Sequence, residues 1–126
     1  LNNDKKYPLT VGETAIQVEV ANTDVKRVLG LSGKESLPFD EGLLFVFVEP
    51  GKHPFWMKDM NFPIDIIWIN KHFFVVDVTE GIIPMTFPEI FEPSERIKYV
   101  LEVNAGFAAK NSIQRGTFVD GIRPIR

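Results

Sequence analysis

The chain has 126 residues, 44% hydrophobic and 25% charged, with a net charge of −3, no cysteine, eleven phenylalanines and nine prolines. That length suits one domain, residues 1–126, with a core that needs no staples, and without cysteine there are no disulfides, thiolate zinc sites or cysteine nucleophiles. The acidic balance argues against a nucleic-acid surface, which is normally basic, and no apolar run reaches the length of a membrane-spanning helix.

Residues 1–6 are polar and read as a frayed tail. Residues 7–11 fit a short edge strand, and Gly12-Glu13 fits a hairpin turn. Ile16, Val18 and Val20 then alternate with Gln17 and Glu19, the pattern of a strand with one wet face. Thr23 suits a helix N-cap and Asp24 the positive helix end. Val25, Val28 and Leu29 recur at helical spacing until Gly30 or Gly33 stops the helix. So short a helix does not stand alone in water, so its Val-Leu stripe is expected to pack on the sheet. Residues 37–42 read as a turn. The run LLFVFV, 43–48, reads as a strand buried on both faces.

Residues 54–70 hold both tryptophans, a Lys-Asp pair, two prolines and a strongly apolar run. Phe55 and Trp56 offer large flat surfaces beside polar Lys58, Asp59 and Asn61. After Pro63, Ile64, Ile66, Ile67, Trp68 and Ile69 fit a pleated surface. Alternation puts Ile64, Ile66 and Trp68 on one face and Asp65, Ile67 and Ile69 on the other. Both faces are apolar, which predicts a central strand covered on both sides. Asp65 must then stay wet, be paired or be hydrogen-bonded, because an unpaired buried charge is very costly.

A turn at 70–72 leads into a returning strand over 73–79, predicting an antiparallel hairpin. Residues 81–96 carry three prolines and the apolar residues Met85, Phe87, Ile90 and Phe91. A loop of that length in a small domain usually acts as a lid or binding loop, or is disordered. Residues 97–103 alternate as a strand. Asn104 offers a second N-cap, 107–109 a short helix, and a last strand falls near Phe118 and Val119.

Three segments, GLLFVF (42–47), FWMKDMNFPIDIIWI (55–69) and YVLEVNAGFAAKNSI (99–113), together with the upstream Arg27 and Gly30-Leu31, resemble the domain-of-unknown-function 192 family over about residues 15–119. The resemblance implies a mainly β fold, a jelly-roll-like β-sandwich or open barrel with one or two short helices. It also implies an exported protein (periplasmic, secreted or lipoprotein-anchored), since many family members carry leaders. It brings no established activity. The chain departs from the family pattern at Ser32 and Lys34, where Met and Arg are usual, and at Lys71-His72, where Gly is common.

Each candidate residue has a plainer reading. Phe55 and Trp56 form either a stacking platform or core aromatics. Asp59 and Asp65, if held about 5–10 Å apart, could share acid and base work on a glycosidic bond. Alternatively Asp59 accepts turn N–H groups and Asp65 pairs with Arg27, Lys58 or Lys98. Lys58 holds an anionic group or lies along apolar surface with its head in water. Glu102 adds to a polar pocket with Asp65 if their strands are neighbours. Asn104 orients a ligand or caps the following helix. His53 and His72 are not in a metal-binding spacing, so no metal or cofactor is expected, and neither a nucleophile elbow nor a Walker loop is present. The leading expectation is a module binding a small polar or carbohydrate-like molecule between residues 55–61 and 84–96. Phe55, Trp56, Lys58, Asp59, Asp65, Glu102, Asn104 and Arg27 would contribute. A hydrolase using the Asp59 and Asp65 pair, and a protein-interaction module using the apolar 85–91 loop, are the alternatives. Oligomeric state is not legible.

Overall fold

Alternating apolar residues fold this chain into one curled sheet. The computed structural model describes residues 5–125, so residues 1–4 of the expected frayed tail lie outside the described residues. The elements are β1 (Tyr7–Val11), β2 (Thr14–Ala21), α1 (Asp24–Leu29), β3 (Glu41–Gly51), β4 (Ile64–Ile69), β5 (Val75–Ile82), a single 3-10 turn (Pro84–Thr86), β6 (Ile97–Asn104), α2 (Phe107–Lys110) and β7 (Val119–Asp120). The strand order is β5-β4-β6-β3-β2-β1-β7. Neighbours are antiparallel except β2 and β3. A parallel pair needs a long crossover, and the chain between β2 and β3, with α1 in it, supplies one.

The two ends of that order meet. Val75 N–H donates to the Thr117 carbonyl and Gly116 N–H to the Val75 carbonyl, both at 2.8 Å, and Val119 N–H donates to the Phe73 carbonyl at 2.8 Å. These bonds curl the sheet into an open barrel, one of the two architectures expected. All seven strands feed the concave core: Leu9, Val11, Ile16, Val18, Leu44, Ile67, Ile69, Val75, Tyr99, Leu101, Val103 and Val119, closed by Phe107 and Ala108 of α2. A second cluster covers the convex face, where Phe45, Ile64, Ile66, Trp68 and Val100 lie under Leu31, Met57 and Phe62 from the connecting segments. β4 is therefore central, with every residue buried. Its Trp68 is core, and its indole N–H donates to the Thr79 hydroxyl at 2.9 Å.

Five local expectations need correction. The run 43–48 is buried on both faces only as far as Phe45, since Val46 and Phe47 are half-buried and Val48 is exposed. β1 is no edge strand, because it pairs with β2 and with β7. The stripe of α1 does not pack on the sheet: Val25, Val28 and Leu29 are 77%, 86% and 58% exposed. Other contacts hold the helix. Thr23 caps it by accepting from Lys26 N–H, Arg27 donates to the Val46 carbonyl at 2.6 Å, and the residue anchored in the core is Leu31, past the helix end. Asn104 does not cap α2, which is entered through Gly106 at φ 93°. Its amide instead donates to the Leu37 and Pro38 carbonyls and ties the crossover to β6. Finally, β5 begins at Val75, because Phe73 stands at φ 73° in the turn.

At Gly42 the neighbouring strand β6 leaves no room for a side chain. A Cβ there would stand 2.8 Å from the Glu102 carbonyl oxygen and 3.0 Å from Val103 Cγ1. Backbone on a central strand cannot yield as a flexible side chain does, so Gly42→Ala should cost about 1–3 kcal/mol. Chemical denaturation of the two proteins checks this.

Candidate functional site

The pairing of β4 with β6 decides which acids share a site. Asp65 stands opposite Val103, and Glu102 opposite Ile66. Directly opposed residues point to the same face, so Asp65 belongs to the concave side and Glu102 to the convex side. The two are neighbours in the sheet and face away from each other. The polar pocket expected from Asp65 and Glu102 together does not form.

Asp65 is fully buried. Its Oδ1 accepts from Gly81 N–H at 2.8 Å, and its Oδ2 from Gly106 N–H at 3.1 Å and Ala108 N–H at 3.0 Å. It pairs with none of Arg27, Lys58 or Lys98, and its burial is compensated by these backbone donors. The carboxylate joins three segments: the end of β5, the turn before α2 and the first turn of α2. Asp59 lies on the opposite, convex side in an exposed turn, at φ 57°. Its carbonyl accepts from Gly33 N–H at 2.9 Å. Asp59 and Asp65 therefore do not converge on one cleft.

Glu102 lies on the floor of a different cavity, of about 660 Å³, on the convex face. One wall is α1 and the 30–32 turn, with Asp24, Arg27, Val28 and Leu29; the other is 54–60, with Phe55, Trp56, Lys58 and Asp59; Phe45 and Phe47 of β3 complete the lining. Glu102 is 5% exposed, and its carboxyl has no hydrogen-bond or ion-pair partner among the described residues. Burial pushes its carboxyl up from 4.5 to about 8, because the apolar surroundings penalise the charged form. At neutral pH it is mostly a neutral acid, able to donate one hydrogen bond and accept others.

The two walls are tied to each other. Ser32 donates its hydroxyl to the Lys58 carbonyl at 2.8 Å, and the Asn61 amide donates to the Lys34 carbonyl at 2.9 Å. Arg27 lies 5.7 Å from the Phe47 ring and pairs with Asp24 at 2.9 Å, so part of its charge is already compensated. Phe55 packs edge-on against Phe45 and Trp68, with centroids 4.8 and 5.5 Å apart, and serves as wall rather than platform. Trp56 is 48% exposed, meets Phe87 at 5.0 Å, and has Lys58 Nζ 5.9 Å from its ring. It is the aromatic that still offers a face to a ligand.

Of the expected residues, the structure brings Arg27, Phe55, Trp56, Lys58, Asp59 and Glu102 to this cavity and leaves Asp65 and Asn104 outside it. The 84–96 loop does not form the second wall; α1 does. Met85, Phe87 and Ile90 are nonetheless exposed, with Phe87 against the Trp56 ring, while Phe91 is drawn in by a backbone bridge to Phe55. The contributions of Phe45, Phe47 and the 30–32 turn were not foreseen. Their one sequence signal is Gly30-Leu31, since Gly30 leaves α1 at φ 53° with its Cα side against the Phe45 ring. Among the described residues no three His, Asp or Glu side chains gather as metal ligands, and no helix is long and apolar enough to cross a membrane.

Comparison with known proteins adds a family. No curated protein matches the chain. A crystal structure from Sinorhizobium meliloti, of a protein provisionally described as a transcription regulator, shares the fold at TM-score 0.89 and 26% identity, covering 96% of this chain and 97% of that one. A protein of unknown function from Novosphingobium aromaticivorans matches at TM-score 0.87 and 27% identity, over 91% and 84% of the two chains. The family model DUF192, described as "Uncharacterized ACR", matches residues 7–121, which span every strand, both helices and the Glu102 cavity, and the chain belongs to that family.

Proposed function

We propose that the domain is a binding module and that the Glu102 cavity takes a small polar, carbohydrate-like ligand. The observation that carries this reading is the unpartnered, nearly buried carboxyl at the base of an aromatic-walled cavity. A few convergent polar groups within apolar walls are what small-molecule sites generally have. A neutral Glu102 would exchange hydrogen bonds with a hydroxyl. Trp56 would lie against a sugar's C–H face, and Lys58 and Asp59 would orient the ligand from the rim.

A thermal-shift titration with mono- and oligosaccharides tests it. A ligand that binds only the folded state raises the melting temperature with concentration. That rise should vanish in Trp56→Ala, whose own stability should fall by only about 1 kcal/mol because the side chain is half exposed. If no sugar or polyol shifts the melt, the proposal is withdrawn.

Hydrolysis is the second reading, and Glu102 favours it too. A carboxyl that keeps its proton near pH 7 is what a general acid requires, and Asp59 lines the same cavity. Turnover of aryl glycosides that disappears in Glu102→Gln would select this reading over simple binding. The regulator label on the Sinorhizobium protein suggests DNA, but a net charge of −3 does not favour it. Export remains part of the proposal on the family resemblance, and fractionation of cells making the natural gene product tests it.

A further inference from the structure

A second cavity, of about 310 Å³, opens at the turn between β4 and β5. Lys71 and His72 reach it from that turn, Lys98 from the start of β6, and Arg123 from the chain after β7. Among the described residues no carboxylate lines it, although the chain carries 17 acidic residues against 14 lysines and arginines. Lys71, Lys98 and Arg123 have no ion-pair partner among the described residues. Three like charges gathered at one concavity repel one another, and among the described residues no carboxylate is paired with them.

The cationic groups are also held in place. The Arg123 guanidinium lies 5.6 Å from the Phe73 ring centroid, and Lys98 Nζ lies 5.6 Å from that of Tyr99. Both rings line the cavity, and they stack on each other at 5.7 Å. The turn is fixed by Asn70, whose Oδ1 accepts from His72 N–H at 2.9 Å and Phe74 N–H at 3.0 Å. Its backbone closes the turn from both sides, with Asn70 N–H donating to the Phe74 carbonyl and Phe73 N–H to the Asn70 carbonyl. That holds Phe73 at φ 73°, a left-handed conformation that an aromatic residue rarely adopts. Phe118, exposed at the mouth, adds a flat apolar surface.

We propose that this cavity binds a phosphate- or diphosphate-type oxyanion, with Lys71, Lys98 and Arg123 as its donors. Arg123 supplies a planar fork that matches phosphate geometry, and the lysines supply point charges. Phe118 is placed to cover a flat group attached to the anion. The site shares no lining residue with the Glu102 cavity, so either can fail alone.

Calorimetric titration of the full chain with inorganic pyrophosphate at low salt tests this directly. Saturable binding is expected, weakening as salt rises because the donors are solvent-accessible. Charge-assisted hydrogen bonds are the strong ones, so Lys98→Gln and Arg123→Gln should each weaken binding roughly tenfold or more. Lys71→Gln, in an exposed turn, keeps the test usable if either of those variants folds poorly. Lys52→Gln, at an exposed lysine elsewhere, should bind as the parent does. Tighter binding of AMP than of inorganic phosphate, with none of adenosine, would assign the anion to a ring-bearing molecule, and equal binding would assign the free anion. No saturation with pyrophosphate, equal weakening by Lys52→Gln, or binding of duplex DNA without pyrophosphate would each overturn the proposal.

Discussion

Asp65→Ala should lower stability by about 3–5 kcal/mol. The substitution removes little apolar contact. Its cost comes from three backbone N–H groups, those of Gly81, Gly106 and Ala108, that lose their acceptor inside the protein. A buried donor left without a partner costs about 1–3 kcal/mol, and water entering the gap recovers some of it. In a domain of this size the melting temperature should fall by about 10–20 °C. Asp65→Asn separates a scaffold role from a catalytic one. The amide keeps one acceptor oxygen but presents an NH2 group to at least one donor, so it should lose roughly half as much stability. A catalytic Asp65 would instead give a well-folded, inactive Asn variant. Normal melting of Asp65→Asn would contradict the geometry described above. The same change should loosen α2 first, since two of the three donors lie at its start, and faster amide exchange at Ala108 than at Leu101 would report it.

The strands were legible because their signal is local. Residues 64–69 alternate β-branched and aromatic side chains on both faces, and a strand with that composition has to lie in the middle of a sheet. The separation of Asp65 from Glu102 was not legible, because it depends on register. Shifting β6 by one residue against β4 would have put both carboxyls on one face, and no residue in either strand announces that Asp65 meets Val103. Helix α1 shows a different limit. The spacing of Val25, Val28 and Leu29 was read correctly as helical and wrongly as buried. Periodicity reports which residues share a face and says nothing about what that face meets. What holds α1 is a side chain reaching a strand carbonyl, Arg27 to Val46, across 19 positions, and Leu31 beyond its end. The cationic cavity was hidden for the same reason. Lys71, Lys98 and Arg123 sit in three ordinary polar contexts, and only the curling of the sheet gathers them. Trp56, Lys58 and Asp59, by contrast, are close in sequence and stay close in space.

Glu102 should make this protein lose stability as the pH rises through the neutral range, relative to a variant that cannot ionise there. In the unfolded chain the carboxyl loses its proton near 4.5, and in the folded chain only near 8. Between those values the folded state holds the extra proton. Stability therefore falls with rising pH, at about 1.4 kcal/mol per pH unit where the difference is a full proton. The cost is absent below pH 4.5, where both states are protonated, and complete above pH 8, where both are ionised. Across the whole span it reaches the order of 5 kcal/mol. Glu102→Gln keeps the shape and stays neutral, so it removes this penalty. It should match the parent near pH 4.5 and become the more stable protein at pH 8. Every other titrating group is common to both proteins and cancels in the difference. Urea denaturation of the pair at several pH values between 4.5 and 8.5 gives that difference directly. Parallel curves would mean that Glu102 ionises as it does in water, that the cavity floor is well hydrated, and that this carboxyl has no proton to give a glycosidic oxygen at neutral pH. A diverging pair would place a neutral acid at the bottom of the cavity, where a ligand's hydroxyl would be its first hydrogen-bonding partner.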